Sequence, residues 1–190
     1  MSIAGGGVPH REGRTLMLLP SLPEDGQGPG SKASGKVFYN PAMAGSRTRS
    51  VLLFRHALDM GFLGEGVVYA LDGLTASGLR ARRWLNELPP EKSERVSATI
   101  VDLEEEALKW AEASHSEYRP NGGGKLEPSK GDLRSVVLRS GRHWVDIDPY
   151  GSPIPFIDSA MQSMARSGVM EVSATDTAAL TGSSSTALMR

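Results

Sequence analysis

The chain has 190 residues, 39% hydrophobic and 23% charged, which suits one ordinary globular domain with its own core. Lysine plus arginine number 21 against 22 for aspartate plus glutamate, so a net charge of −1 provides no global field to draw in a polyanion. No apolar run approaches the roughly 18 residues of a membrane span, no signal peptide opens the chain, and no cysteine is present for a disulfide; these features fit a cytoplasmic protein without a membrane or metal partner.

Residues 1–35 are rich in Gly, Pro and Ser, and 23–35 hold almost nothing apolar to bury, which predicts a flexible tail ahead of a domain over 36–190. Inside that tail Leu16, Met17, Leu18 and Leu19 form a short apolar run, either a strand packing on the domain or part of a small hairpin. Ser46 is a candidate cap for a helix to about Met60, ended by Gly61. Strands are then predicted over 67–71 and 96–101, a weaker one near Leu126, and others over 143–147 and 169–174. Helices are predicted over 76–88, 103–116, after Asp132, and over 156–165. That alternation implies an α/β fold with a mostly parallel sheet covered on both faces. Ligands of such sheets sit outside the carboxyl ends of the strands.

Four predicted strand ends carry polar signals: Asp72-Gly73 with Gly78, then Asp102, then Gly131-Asp132 followed by Leu133, and Asp146-Ile147-Asp148-Pro149-Tyr150. The first is a strand, a turn with two glycines and a helix start, where backbone approaches a ligand closely and free amides are presented. The spacing is not G-x-G-x-x-G, so the nicotinamide fingerprint is absent. Asp102 ends the second strand where a carboxylate accepts hydrogen bonds from a ribose diol, and Asp132 stands where one takes an adenine amino proton. Each also reads as the cap of the helix that follows.

Asp148-Pro149-Tyr150 at a strand end is either a plain Asp-Pro turn into Gly151 or, by its resemblance to the Asp/Asn-Pro-Pro-Tyr/Phe motif of S-adenosylmethionine-dependent methyltransferases that modify exocyclic amines of bases, the working part of such an enzyme. An aryl amine is a poor nucleophile because its lone pair is delocalised. A carboxylate and a carbonyl accepting its two hydrogens would direct the lone pair and take up the positive charge that develops. Asp148 supplies the carboxylate, Pro149 the carbonyl held in an irregular turn, and Tyr150 a ring to stack on a flipped base.

The run from Asp146 through Gly151-Ser152-Pro153 and Pro155-Phe156-Ile157-Asp158-Ser159-Ala160, then Ala174-Thr175-Asp176-Thr177-Ala178, resembles the tRNA guanine-26 N2-dimethyltransferases. Val37-Phe38-Tyr39-Asn40-Pro41 with Met43 and Arg47, and the block from Leu71 to Arg80, match that family in order. The resemblance covers roughly 36–190. It implies a class I, Rossmann-like methyltransferase fold that uses S-adenosylmethionine and acts on tRNA. It further implies cofactor contacts from Arg47, Arg80, Asp102 and Asp132, and a catalytic role for Asp148. Asp72, Gly78 and Leu133 join the candidate cofactor set, and Pro149 and Tyr150 the catalytic one.

Members of that family continue through further strands and a separate C-terminal domain, so the chain is expected to be a fragment truncated after its fifth main strand. Where the family has Asn-Arg-Asp this chain has Ser46-Arg47-Thr48, which predicts a loosely oriented Arg47; Tyr150 replaces Phe, and Thr181-Gly182 stands for Cys-Gly. Arg49, Arg55, His56, Arg82 and Arg83 read as solvated helix faces or as part of a phosphate track. His10, His115 and His143 have no partners at metal-ligand spacing, and Trp84, Trp110 and Trp144 read as packing residues. Two other readings fit the same residues: an amino-methyltransferase acting on another RNA or on DNA, and a cofactor- or RNA-binding module without turnover.

Overall fold

The computed structural model describes residues 6–21 and 37–174. A hairpin of β1 (Val8–Glu12) and β2 (Thr15–Leu19) precedes the long helix α1 (Ala44–Asp59). Strands and helices then alternate: β3 (Val68–Gly73), α2 (Leu79–Glu87), the single turn α3 (Pro90–Ser93), β4 (Val96–Asp102), α4 (Glu105–Glu117), β5 (Lys125–Lys130), α5 (Leu133–Val136), β6 (Arg142–Ile147), α6 (Ile154–Ser163) and β7 (Met164–Val172). The last five strands make one sheet in the order β5-β4-β3-β6-β7, and each neighbouring pair is parallel. The α/β expectation is met.

Both faces of the sheet are covered, which is why β3, β4 and β6 read as nearly continuous apolar runs. Ala70, Ala98, Ile100 and Trp144 face one way, against Val51 and Phe54 of α1, Trp84 and Leu85 of α2, and Leu108 and Ala111 of α4. Leu71, Val101, Val145 and Ile147 face the other way, against Leu133 and Val136 of α5 and Ala160 of α6. The Phe54 ring stacks on Trp144 with centroids 4.4 Å apart, and Trp84 meets both edge-on, so these tryptophans are core residues as expected. The odd strand is β5, partly exposed along its length and carrying Pro128, which an edge strand tolerates because one side of its backbone needs no partner.

Three expectations change. Residues 8–19, placed inside a flexible tail, form the β1–β2 hairpin, which is the hairpin alternative for the Leu16–Leu19 run, and its Met17 and Leu19 pack with Leu79 in a small core of their own. The N-terminal cap of the α1 region is not Ser46: Pro41 opens a 3-10 turn that leads into the helix, and the Asn40 side chain accepts from the Ala42 amide at 2.9 Å. Arg82 and Arg83 are buried rather than solvated, because α2 is sandwiched between the sheet and the hairpin. Residues 22–35 of the proposed tail, the Thr175–Ala178 block and Thr181-Gly182 lie outside the described residues. Among the described residues no helix is long and apolar enough to cross a membrane.

Candidate active site

The ends of β3, β4 and β6 open onto one cavity of about 1030 Å³, closed in front by Phe38, Tyr39, Asn40, Met43 and Arg47 ahead of and within α1. This lies at the upper end of the roughly 300–1,000 Å³ usual for small-molecule sites. Its floor is the turn from β3 into α2. Leu74 (φ 62°) and Ala76 (φ 48°) both adopt left-handed backbone, a conformation that costs non-glycine residues energy and persists only where the surroundings impose it. The surroundings are visible: the Thr75 amide donates to the Val101 carbonyl at 2.9 Å and the Ala76 amide to Asp102 Oδ2 at 2.8 Å. Gly78 (φ 67°) completes the turn, and a methyl group there would meet Ala111 Cβ at 2.5 Å, so only glycine lets α2 approach α4 this closely. The first amides of α2, at Leu79 and Arg80, have no intrahelical acceptor and point the positive end of the helix at this turn.

Asp72, Asp102, Arg80, Asp148, Pro149 and Tyr150 all line this cavity, so the structure brings together most of the residues that the sequence singled out. Asp72 is spoken for: its Oδ2 accepts from Thr75 Oγ1 at 2.7 Å and from the Ala81 amide at 3.1 Å, holding the turn to α2. Burial pushes its carboxyl up to about 6, against the pull of Arg80 and those two bonds. Asp102 braces both sides of the cavity, with Oδ2 on the Ala76 amide and Oδ1 on the Glu104 amide at 2.9 Å.

Arg80 is the electrostatic hub. Its guanidinium is buried, with Nε 3.0 Å from Asp146 Oδ2 and Nη2 donating to Asp148 Oδ2. The Asp146 contact is charge against charge rather than an aligned hydrogen bond, for among the described residues neither oxygen of that fully buried carboxylate has a hydrogen-bond partner. Burial, with Asp72, Glu171 and Asp148 nearby, pushes the Asp146 carboxyl well above its usual value despite Arg80. These acids share a row: Asp72 pairs with Asp146 across β3 and β6, and Asp146 with Glu171 across β6 and β7. Parallel strands in register put all three on one face, directly under α2.

Arg47 is not loose. Its Nε donates to Glu12 Oε1 at 2.7 Å, and its Nη2 to Glu12 Oε2 at 2.5 Å and to the Asn40 carbonyl at 2.9 Å. The sequence reading missed Glu12 because it lies 35 residues earlier on the hairpin strand β1, far from any motif. Tyr150, by contrast, is 84% exposed at the cavity mouth, a free ring face.

Asp132 and Leu133 are not brought to the cavity. Asp132 caps α5 by accepting from the Arg134 amide at 2.9 Å, and its carboxylate pairs with the Arg134 guanidinium, which holds it down at about 2. Leu133 is buried in the core under Gly73. Of the histidines, His10 bonds Tyr39 Oη at 2.8 Å and His143 Nδ1 accepts from the Tyr69 amide at 3.1 Å.

A parallel sheet with helices on both faces and a cavity over the ends of its central strands is the arrangement of Rossmann-like methyltransferases. Methanocaldococcus jannaschii Trm5, solved with adenosine, superposes with a TM-score of 0.57 at 14% identity over 87% of this chain and 41% of that one. A methyltransferase of Geobacter sulfurreducens, solved with S-adenosyl-L-homocysteine, gives 0.50 at 14% identity, over 75% of this chain and 51% of that one. The family described as N2,N2-dimethylguanosine tRNA methyltransferase matches residues 25–190, and the chain belongs to that family. The tRNA (guanine(26)-N(2))-dimethyltransferase of Thermococcus kodakarensis is 33% identical across 96% of this chain and 47% of its own length. The Aquifex aeolicus enzyme that acts on guanines 26 and 27 is 32% identical across 95% of this chain and 43% of its own. The chain thus spans about half the length of these relatives.

Proposed function

We propose that this chain is the cofactor-binding and catalytic half of a tRNA guanine-N2 methyltransferase that works on guanine 26 with S-adenosylmethionine in the cytoplasm. The observation that carries the reading is the pairing of Arg80 with Asp148 at the cavity that Asp102 braces. Asp102, the Leu79 and Arg80 amides that open α2 and Arg47 form a set of acceptors and donors suited to a nucleoside with an amino-acid tail. The cofactor would supply an electrophilic methyl carbon.

The protein's share of the chemistry falls to Asp148. Arg80 occupies its Oδ2, and Asp148 lines the cavity, so Oδ1 would be the acceptor for a guanine amino hydrogen. A carboxylate suffices as the proton acceptor, because the amine nitrogen becomes strongly acidic once it carries the methyl and a positive charge. Asp148 therefore orients the lone pair before transfer and receives the proton after it. Tyr150 offers its open face to the extruded base.

The test is single-turnover methylation of a tRNA transcript by a protein completed with the C-terminal half, beside duplex DNA as the competing polymer. Asp148→Asn is expected to slow transfer about 10²–10³-fold with cofactor affinity near wild type. Transfer at the wild-type rate would reduce Asp148 to a turn residue and remove the reading.

A further inference from the structure

Glu12 lies on the hairpin, ahead of the segment 25–190 that defines the family match. It is buried, and it accepts four hydrogen bonds: two from Arg47, one from Tyr39 Oη at 3.0 Å and one from Arg83 Nη1 at 2.9 Å. Three of the four come from residues that line the cavity. We propose that Glu12 is a positioning residue of the cofactor site, which fixes Arg47 and Tyr39 in the cavity wall before a ligand arrives. The proposal deepens the methyltransferase reading and rests on it.

The hairpin does not need Glu12 to be held in place. Glu87 of α2 already accepts from the Arg14 amide and Thr15 Oγ1, each at 3.2 Å, while the Leu18 amide donates to Ser114 Oγ at 2.9 Å. Met17 and Leu19 are fully buried besides. What Glu12 adds is directed elsewhere. Neither chain neighbour of Arg47, Ser46 or Thr48, is acidic, so the long arginine side chain has no local carboxylate to order it. Nε and Nη2 are engaged by Glu12 and Asn40, so among the described residues Nη1 would be the edge left for a ligand in the cavity that Arg47 lines, and the guanidinium carbon sits 5.3 Å from the centre of the Tyr39 ring. An arginine fixed by a two-point carboxylate contact meets an anionic or polar ligand without the entropy loss of being ordered first.

The electrostatics agree with the geometry. Burial alone would raise the Glu12 carboxyl, but the hydrogen bond and charge of Arg47, with Tyr39 and Arg83, outweigh it and hold the group below its usual value. Tyr39 responds in the opposite sense: burial and the Glu12 charge push its phenol up to about 12, so it stays a donor. Glu12, Arg47, Arg83 and Glu87 balance as two acids and two bases, and the carboxylate of Glu12 is the one member that touches both arginines and the tyrosine.

A double-mutant cycle in the 190-residue chain, read by calorimetric titration with S-adenosylmethionine, decides it. Glu12→Gln keeps the shape and removes the charge; affinity is expected to fall roughly 10-fold or more, the scale of one charge-assisted hydrogen bond. In the Arg47→Ala background the same change should cost clearly less, because Glu12 acts mainly through Arg47 and only the share carried by Tyr39 is left. A purely structural Glu12 would instead lower the melting temperature and weaken binding equally in both backgrounds. Glu12→Asp, which keeps the charge that both arginines need but stops a methylene short, guards against misfolding and should bind at an intermediate level. Wild-type binding with unchanged affinity in folded Glu12→Gln, or equal losses in both backgrounds, overturns the positioning role alone. A wild-type chain that binds no S-adenosylmethionine overturns the methyltransferase reading and this inference with it.

Discussion

Replacing Asp72 with asparagine should change how stability depends on pH while leaving cofactor affinity within about threefold of wild type. The carboxylate is fully buried, and the two bonds at its Oδ2, from Thr75 Oγ1 and the Ala81 amide, can both be taken by an amide carbonyl of the same shape. Its carboxyl is pushed up to about 6 from an ordinary 3.8, mainly by burial. A carboxyl whose folded value lies above its unfolded one binds more protons in the folded state. Its stabilising contribution is therefore greatest at low pH and falls as pH rises between the two values. The gap of about 2.2 pH units, at about 1.36 kcal/mol per unit, bounds that loss at about 3 kcal/mol between pH 4 and pH 6.5. Urea unfolding of both proteins at half-unit steps across that window measures the difference directly. Asp72→Asn should gain on wild type steadily as pH rises and hold a constant lead above pH 6.5. Parallel curves would show that the Asp72 carboxyl titrates in the folded chain as it does in the unfolded one, and a large loss of S-adenosylmethionine affinity would show that its carboxylate meets the ligand.

Arg80→Met strips the guanidinium from between Asp146 and Asp148 and leaves a buried carboxylate uncompensated; stability at pH 7 should fall by about 3–5 kcal/mol. The deficit should shrink toward pH 5 as Asp146, already held well above its usual value, takes up a proton; urea melts at the two pH values check this. Tyr150→Ala should leave stability within about 0.5 kcal/mol, since the ring is exposed, yet slow single-turnover methylation of tRNA by a protein completed with the C-terminal half, whereas Tyr150→Phe keeps the stacking face and the rate. Equal rates for the alanine and phenylalanine variants would remove Tyr150 from the base pocket.

What the sequence revealed, and what it hid, divides along the range of the interactions. Strand ends were legible because Asp72-Gly73, Gly78, Asp102 and the Asp148-Pro149 turn punctuate apolar runs, and a parallel sheet gathers such ends on one edge. Interactions between distant segments were not. Glu12 reaches Arg47 across 35 residues of chain, and nothing in a Gly-rich N-terminal stretch marks it as part of a wall. Arg82 and Arg83 look like surface charges until the hairpin covers α2, whereupon Arg83 finds Glu12 and Glu87 while Arg82 is buried with its Nη2 on the Tyr118 carbonyl. Asp132 fails for the opposite reason, an interaction too short in range to weigh against a cofactor: Arg134, two residues on, claims its carboxylate. That competition yields the last prediction. Both partners of the Asp132–Arg134 pair are exposed, so the pair is weak and a ligand that uses Asp132 would have to displace Arg134. If the adenine amine takes Asp132, Arg134→Ala should tighten S-adenosylmethionine binding roughly two- to fivefold by removing the competitor, and Asp132→Ala should weaken it. Adenosine, which carries the same amine without the amino-acid tail, should show the same ratio, whereas a ratio confined to the full cofactor would point to the charge of Arg134 acting on the tail. Calorimetry with both ligands on the two variants separates these outcomes. Unchanged affinity for both would mean that Asp132 is the helix cap the structure shows and nothing more.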